Sequence, residues 1–239
     1  WTIRLIRQSI TNETILEAYS CLIEGIANNT LPAASRQDLN TVKLFLPAKK
    51  GNLNDPRPIG IPQAFRKTAS AYVLNRAKPH IRSKFTQVGQ YGCGTQGGSE
   101  LAKHHIQADL ERRGPNAACL LTDYANAYGE VPRHEALDKI YADPELECTW
   151  GAVAFTYGNE PTLVAQGSTH DNSLIIRLQR EGAIQGCTLG SFLTCHALLE
   201  PNATAIEGLD ATLIAIADDS TSIASNYLDC IEIFDRQLK

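Results

Sequence analysis

Methionine is absent from all 239 residues, and no Cys-x-x-Cys pair occurs. A natural chain starts with Met, so the first absence leads us to expect an excerpt or a processed piece of a longer polypeptide. The seven cysteines (Cys21, Cys93, Cys119, Cys148, Cys187, Cys195 and Cys230) are odd in number and unpaired in spacing. That argues against a disulfide framework and against a structural zinc site, and it fits a reducing, intracellular compartment. No run approaches the roughly eighteen uncharged apolar residues of a membrane span, so no membrane partner is expected. The start, WTIRLIRQ, lacks the basic, apolar and small regions of a signal peptide. Two nucleotide-binding loops are also missing. The glycine-dense segment QYGCGTQGGSE, residues 90–100, is followed by no Gly-Lys-Ser or Gly-Lys-Thr, and its spacing is not that of a dinucleotide fingerprint. Its glycines mark turns or close backbone approach.

What is present is a chain able to bury a core, with 43% hydrophobic residues, as one large domain or two lobes. The formal charge of -4 at first argues against a polyanionic partner. Its distribution does not. Residues 1–113 hold sixteen Lys and Arg against eight acids, a net of +8, and residues 114–239 hold six against eighteen, a net of -12. Such a split arises by accident in some chains, yet it suits a protein that holds a polyanion with one lobe and metal cations with the other.

Hydrophobic spacing predicts a helix over 12–27 capped by Thr11 or Asn12, a strand over 42–47, a turn-like loop at KKGNLNDP and a strand at RPIGI. Helices follow over 64–82 and 99–113. AACLLTDY reads as a buried strand, then come helices near 133–141 and 144–157, a hairpin over 161–179 and a helix over 188–199. ATLIAIADDSTSIA reads as strand, acidic two-residue turn, strand, and 227–239 as a last helix. The class is α+β, antiparallel strands packed on helices.

Asp123 ends one apolar strand, and Asp218 with Asp219 interrupts another. A lone Asp at a strand end is usually a cap or a surface residue. Two adjacent acids between LIAI and STSIA are harder to explain structurally, since like charges repel and Asn-Gly or Asp-Gly serves a hairpin better. If the strands are neighbours, three carboxylates converge as hard oxygen ligands of a divalent metal.

The stretch DYANAYGEVPR at 123–133, EGAIQGCTLGSFL at 181–193 and IADD at 216–219 resemble, in order, the first catalytic motif, the Gln-Gly motif and the Asp-Asp box of reverse transcriptases of the non-long-terminal-repeat retrotransposon type. DPRPIGIP at 55–62 resembles the family's fingers motif, and QYGCGTQGGSELAKHHI at 90–106 its glycine-bearing segment. Each match is weak alone; five in order across residues 42–225 are specific.

The resemblance implies a right-hand polymerase: residues 1–116 as N-terminal helix and basic fingers, 117–239 as an incomplete palm, with the thumb absent. It implies two Mg²⁺ ions, with Mn²⁺ as substitute, at catalytic Asp123, Asp218 and Asp219. Arg57, helped by Lys49 or Lys50, is expected to hold the triphosphate, and Tyr128 to act as a steric gate at the sugar 2′-position. Gln185 and Gly186 are expected to line the nucleotide, with Gly186, Arg66 and Lys67 meeting template or primer. Implied partners are an RNA template, a DNA or RNA primer and deoxynucleoside triphosphates. The setting is nuclear if the source is a eukaryotic retroelement.

Ile216 departs from the pattern, standing where the Asp-Asp box usually has an aromatic; this implies looser support of the primer end. Cys187 and Thr188 follow Gln-Gly where an acid or Cys and then Pro is common, which relaxes the helix entry. Two other readings share these features. An RNA-dependent RNA polymerase also has an Asp-Asp pair, though Tyr128 argues against room for a 2′-hydroxyl. A retroelement remnant or maturase-like protein binds RNA without polymerising it.

Overall fold

The computed structural model describes residues 3–49, 52–166 and 173–238. Three helices lead the chain: α1 (Ile3–Ser9), α2 (Glu13–Ala27) and α3 (Ala33–Leu39). Asn12 caps α2, its side chain accepting from the Ile15 amide. The strands β1 (Val42–Phe45), β2 (Ala48–Lys49), β3 (Asn52–Pro56) and β4 (Ile59–Ile61) follow. The segment expected to be a turn-like loop is therefore a short hairpin, with β2 and β3 antiparallel.

Helix α4 (Ala64–Gln87) runs five residues past the expected end, through Pro79. Phe85 in that extension is fully buried, as is Ile81 just before it, so core packing outweighs the hydrogen bond that Pro79 forfeits. Helix α5 (Gly98–Arg113) leads to β5 (Ala118–Asp123) and the short α6 (Ala127–Glu130), then to α7 (Arg133–Tyr141) and α8 (Glu147–Tyr157). The hairpin β6 (Thr162–Gln166) and β7 (Leu174–Leu178) is antiparallel as expected. Helices α9 (Thr188–Ala197) and α10 (Leu199–Ile206) divide what the sequence reads as one helix and a connection. The chain closes with β8 (Ala211–Ile216), β9 (Asp219–Ala224) and α11 (Tyr227–Gln237).

Two larger sheets result. One has the order β4-β1-β6-β7, mixed because β1 pairs with β6 in parallel and with β4 antiparallel. The other is antiparallel, in the order β5-β9-β8. The main core draws on both halves of the chain: Val42, Val73 and Phe85 pack with Val131, Ile140, Leu189 and Phe192. Phe85 and Phe192 stack with ring centroids 6.1 Å apart. Each ring's burial is worth roughly 2–3 kcal/mol.

The antiparallel sheet is covered on one face by α5, through Ala102 against Ile214 and Ile223, and on the other by α10 and α11. Strand β5 lies at its edge and is not the buried strand expected from its composition. Its exposure alternates, and Leu121 is 77% exposed. The alternation follows from position: α11 covers one side of β5, with Thr122 bonded to Gln237 at 3.0 Å, while α5 lies over β8 and β9 and leaves the other side of β5 open.

Candidate active site

The register of the antiparallel sheet sets the carboxylates. Asp123, last in β5, is the direct cross-strand partner of Asp219, first in β9. Ile216 pairs with Asp219 across the β8–β9 turn, so the two turn residues are Ala217 and Asp218. The turn is thus shifted one residue from the acidic pair the sequence suggests: Asp218 sits in the turn and Asp219 in the strand. Asp123 and Asp219 are exposed and Asp218 is half-buried. Burial, then the nearby charges of Asp218 and Asp123, raise the Asp219 pKa above the ordinary carboxylate range.

Carboxylate oxygens are the hard donors that Mg²⁺ or Mn²⁺ takes, and repulsion among these acids is what a bound cation relieves. In donor chemistry the group fits. Among the described residues no group of three acidic, His or Cys side chains already forms a metal-holding cluster.

Tyr128 lies in α6, just beyond Asn126, which holds a left-handed φ of 51° that Asn tolerates. Its ring packs half-buried against the main core, and its hydroxyl donates to Ser191 Oγ at 3.1 Å. Burial raises its pKa, and Asp218 is near enough to add to the effect. The Tyr128 carbonyl accepts from the Ala183 amide at 2.6 Å, and Val131 O from Gly182 at 3.2 Å. Arg133 fixes the same loop: its guanidinium donates to the carbonyls of Gly182 (2.9 Å), Gln179 (2.8 Å) and Glu181 (2.8 Å). It also lies over the Tyr157 ring, 5.4 Å from the centroid.

The loop leads into Gln185 and Gly186. Gln185 O accepts from the Gly60 amide at 2.7 Å, which joins the Gln-Gly segment to β4. Gly186 has φ +92°, and a Cβ there would meet Gly60 O at 2.7 Å. Conformation and contact with β4 both require this glycine. Arg57 is exposed beside β4, its amide donating to Pro47 O at 2.9 Å.

One expectation for the cations is changed. Arg66 is 1% exposed and cannot meet template or primer from that position. Its Nη1 donates to Asn40 Oδ1 at 2.7 Å and to Asn40 O at 3.3 Å, so it serves as an internal tie between α4 and the end of α3. Lys67, the next residue, is exposed. Lys50 lies outside the described residues, as does the Lys49 side chain.

Sequence reasoning assigned Gln90 no role. It is fully buried and contacts the turn that carries Asp218. The available signal was an amide flanked by Gly89 and Gly92, where backbones pass closely.

This α+β arrangement has a fold shared with part of telomerase. Apo telomerase from Candida tropicalis superposes with a TM-score of 0.61 at 12% identity, covering 94% of this chain and 45% of that one. Telomerase from Candida albicans, solved with a fragment of telomeric RNA, gives 0.59 at 12% identity, covering 86% and 41%. In sequence the chain is similar to the Retrotransposable element SLACS 132 kDa protein of Trypanosoma brucei gambiense, 25% identical over 226 residues. The chain is its distant homologue, with 94% of this chain aligned to 18% of that protein. No family model matches the chain. No helix among the described residues is long and apolar enough to cross a membrane.

Proposed function

We propose that this chain is the fingers and palm of an RNA-directed DNA polymerase, residues 1–116 forming the fingers region and 117–239 the palm. The observation that carries the reading is the β5–β9 register, which sets Asp123 opposite Asp219 with Asp218 beside them in the adjoining turn. Asp123 and Asp218 hold Mg²⁺, and Asp219 adds charge beside them. When bound, two such ions lower the pKa of a primer 3′-hydroxyl and stabilise charge on the α-phosphate and departing pyrophosphate.

The remaining residues bind and orient. Arg57, with Lys49 or Lys50, grips the triphosphate, its planar guanidinium matching phosphate geometry. Gln185 and Gly186 line the nucleotide and let the template pass near the backbone. Tyr128, tethered to Ser191, excludes a ribose 2′-hydroxyl by bulk. Lys67 meets template or primer phosphates. The template is RNA, the primer DNA or RNA, and the substrates deoxynucleoside triphosphates.

Primer extension on RNA, with Mg²⁺ and the longest polypeptide that carries this chain, tests the reading. Asp123→Asn or Asp218→Asn is expected to lower the rate by about a thousandfold, near 4 kcal/mol in the barrier. Tyr128→Ala should raise the ratio of ribo- to deoxynucleotide incorporation by at least about tenfold, or 1.4 kcal/mol, while Tyr128→Phe leaves it nearly intact. Equal rates in the Asp218→Asn and unaltered proteins contradict the mechanism. A ratio unmoved by Tyr128→Ala removes the gate and restores the RNA polymerase reading.

A further inference from the structure

The turn between β8 and β9 has an unusual construction. Ala217 adopts φ +56°, a left-handed conformation that costs a residue with a Cβ on the order of 1 kcal/mol. A conformation of that kind persists only where neighbours hold it.

The neighbour is Gln90. Its Oε1 accepts from the Ala217 amide at 2.9 Å, and its Nε2 donates to the Ala217 carbonyl at 3.0 Å. Both backbone polar groups of the strained residue therefore end on one side-chain amide. Gln90 Oε1 also accepts from the Gly92 amide at 2.8 Å, which fixes the amide plane in turn.

The backbone around Gln90 is docked on β8. Tyr91 N donates to Ala215 O and Ala215 N to Gly89 O, each at 2.8 Å, and Gln90 forms a parallel bridge with Ala215. Side chains at the flanking positions have no room. A Cβ at Gly89 would meet Leu213 O at 1.9 Å, and one at Gly92 would meet Ala217 N at 2.2 Å. The glycine-dense segment is thus a platform pressed against the acidic turn.

We propose that Gln90 is a positioning residue: it locks Ala217 in its left-handed state and thereby sets the directions of Asp218 and Asp219 for a shared divalent cation. The inference rests on the metal-site reading above and adds to it a residue 128 positions away in sequence from Asp218. Metal–oxygen contacts of about 2.1 Å tolerate little displacement. When the clamp is removed, Ala217 is free to relax, and the two carboxylates on its C-terminal side turn with it.

The test is Mn²⁺ binding to this chain, followed by electron paramagnetic resonance, in the unaltered protein, Gln90→Met, Gln90→Asn and Asp218→Asn. Gln90→Met keeps length without polar atoms; Gln90→Asn keeps the amide but withdraws it by one methylene, and it decides the matter if Gln90→Met does not fold. Circular dichroism identifies the folded variants. Mn²⁺ affinity at least about tenfold weaker in a folded Gln90 variant is the expected result. A residue that only stabilised the fold would lower the melting temperature and leave the affinity of the folded protein unchanged. If Asp218→Asn loses binding while both Gln90 variants bind within about twofold of the unaltered protein, Gln90 positions nothing. If Asp218→Asn and the unaltered chain bind alike, the metal-site reading fails, and the role of Gln90 is overturned with it.

Discussion

His196 shows how a single residue couples packing to pH. It is 4% exposed, tilted against Phe85 and Phe192 with ring centroids 6.1 and 5.9 Å away. Neither ring nitrogen has a hydrogen-bond partner. Burial, then Lys84, with smaller effects of Lys139 and His80, lowers its pKa to about 4, while Asp143 opposes them. A histidine neutral in the fold and protonated in the unfolded chain contributes stability that is complete above about pH 6.5 and is lost as pH falls towards 4. Roughly 3 kcal/mol is at stake over that interval. Urea denaturation between pH 7 and pH 4.5 should show this loss, and His196→Leu should flatten it, since Leu is not protonated. Asp109 and Asp143, both with lowered pKa values, act at still lower pH. A slope unchanged by His196→Leu would assign the acid sensitivity elsewhere. Nothing in the sequence around TCHALLE announces this residue; only the tertiary packing of α4 on α9 buries it.

Among the elements, those with strong local signals were legible. Helix α2 with its Asn12 cap, the β6–β7 hairpin and, to within one residue at their turn, β8 and β9 follow from periodicity and turn chemistry. The elements that differed are decided by tertiary contacts: α4 extends because Phe85 reaches the core, and β5 is an edge strand because α5 covers only its neighbours. The loop before Gln185 belongs to this second kind. Its carbonyls have no strand partner and are gathered by Arg133, which the sequence presents only as the first residue of α7. Replacing Arg133 by Lys should destabilise the protein by about 2–4 kcal/mol, because one ammonium cannot satisfy three carbonyls spread over a planar fork. Guanidinium denaturation measures the loss. A change below about 0.5 kcal/mol would show that the loop carries its own structure and that Gln185 owes nothing to Arg133.

At the scale of the whole molecule, the five motif segments are brought together by four long-range links: β5 with β9, Gly60 with Gln185, Tyr128 with Ala183, and Gln90 with Ala217. Motif order was readable from the sequence, and so was the charge division between the halves. Which cations face outward was not, because Arg66 and Lys67 are adjacent in sequence, yet the turn of about 100° between them buries one and exposes the other. Lys67, Lys78 and Arg82 are exposed, fall on the same side of the helix at its 3.6-residue repeat, and form no ion pair among the described residues. If α4 supplies the nucleic-acid surface in an otherwise acidic protein, binding of a primer–template duplex should weaken with salt through these residues. Converting all three to Gln should flatten the slope of log K against log salt by about 2 to 3, the counterions no longer released. Arg66→Gln is the internal contrast. It removes a buried guanidinium that holds Asn40 and should cost stability on the order of 3 kcal/mol while leaving the salt slope of the folded protein unchanged. Filter binding across a range of potassium chloride concentrations distinguishes the two. A slope indifferent to the triple replacement would move the polyanion surface off α4, and a slope altered by Arg66→Gln alone would mean that the buried tie opens to reach phosphate.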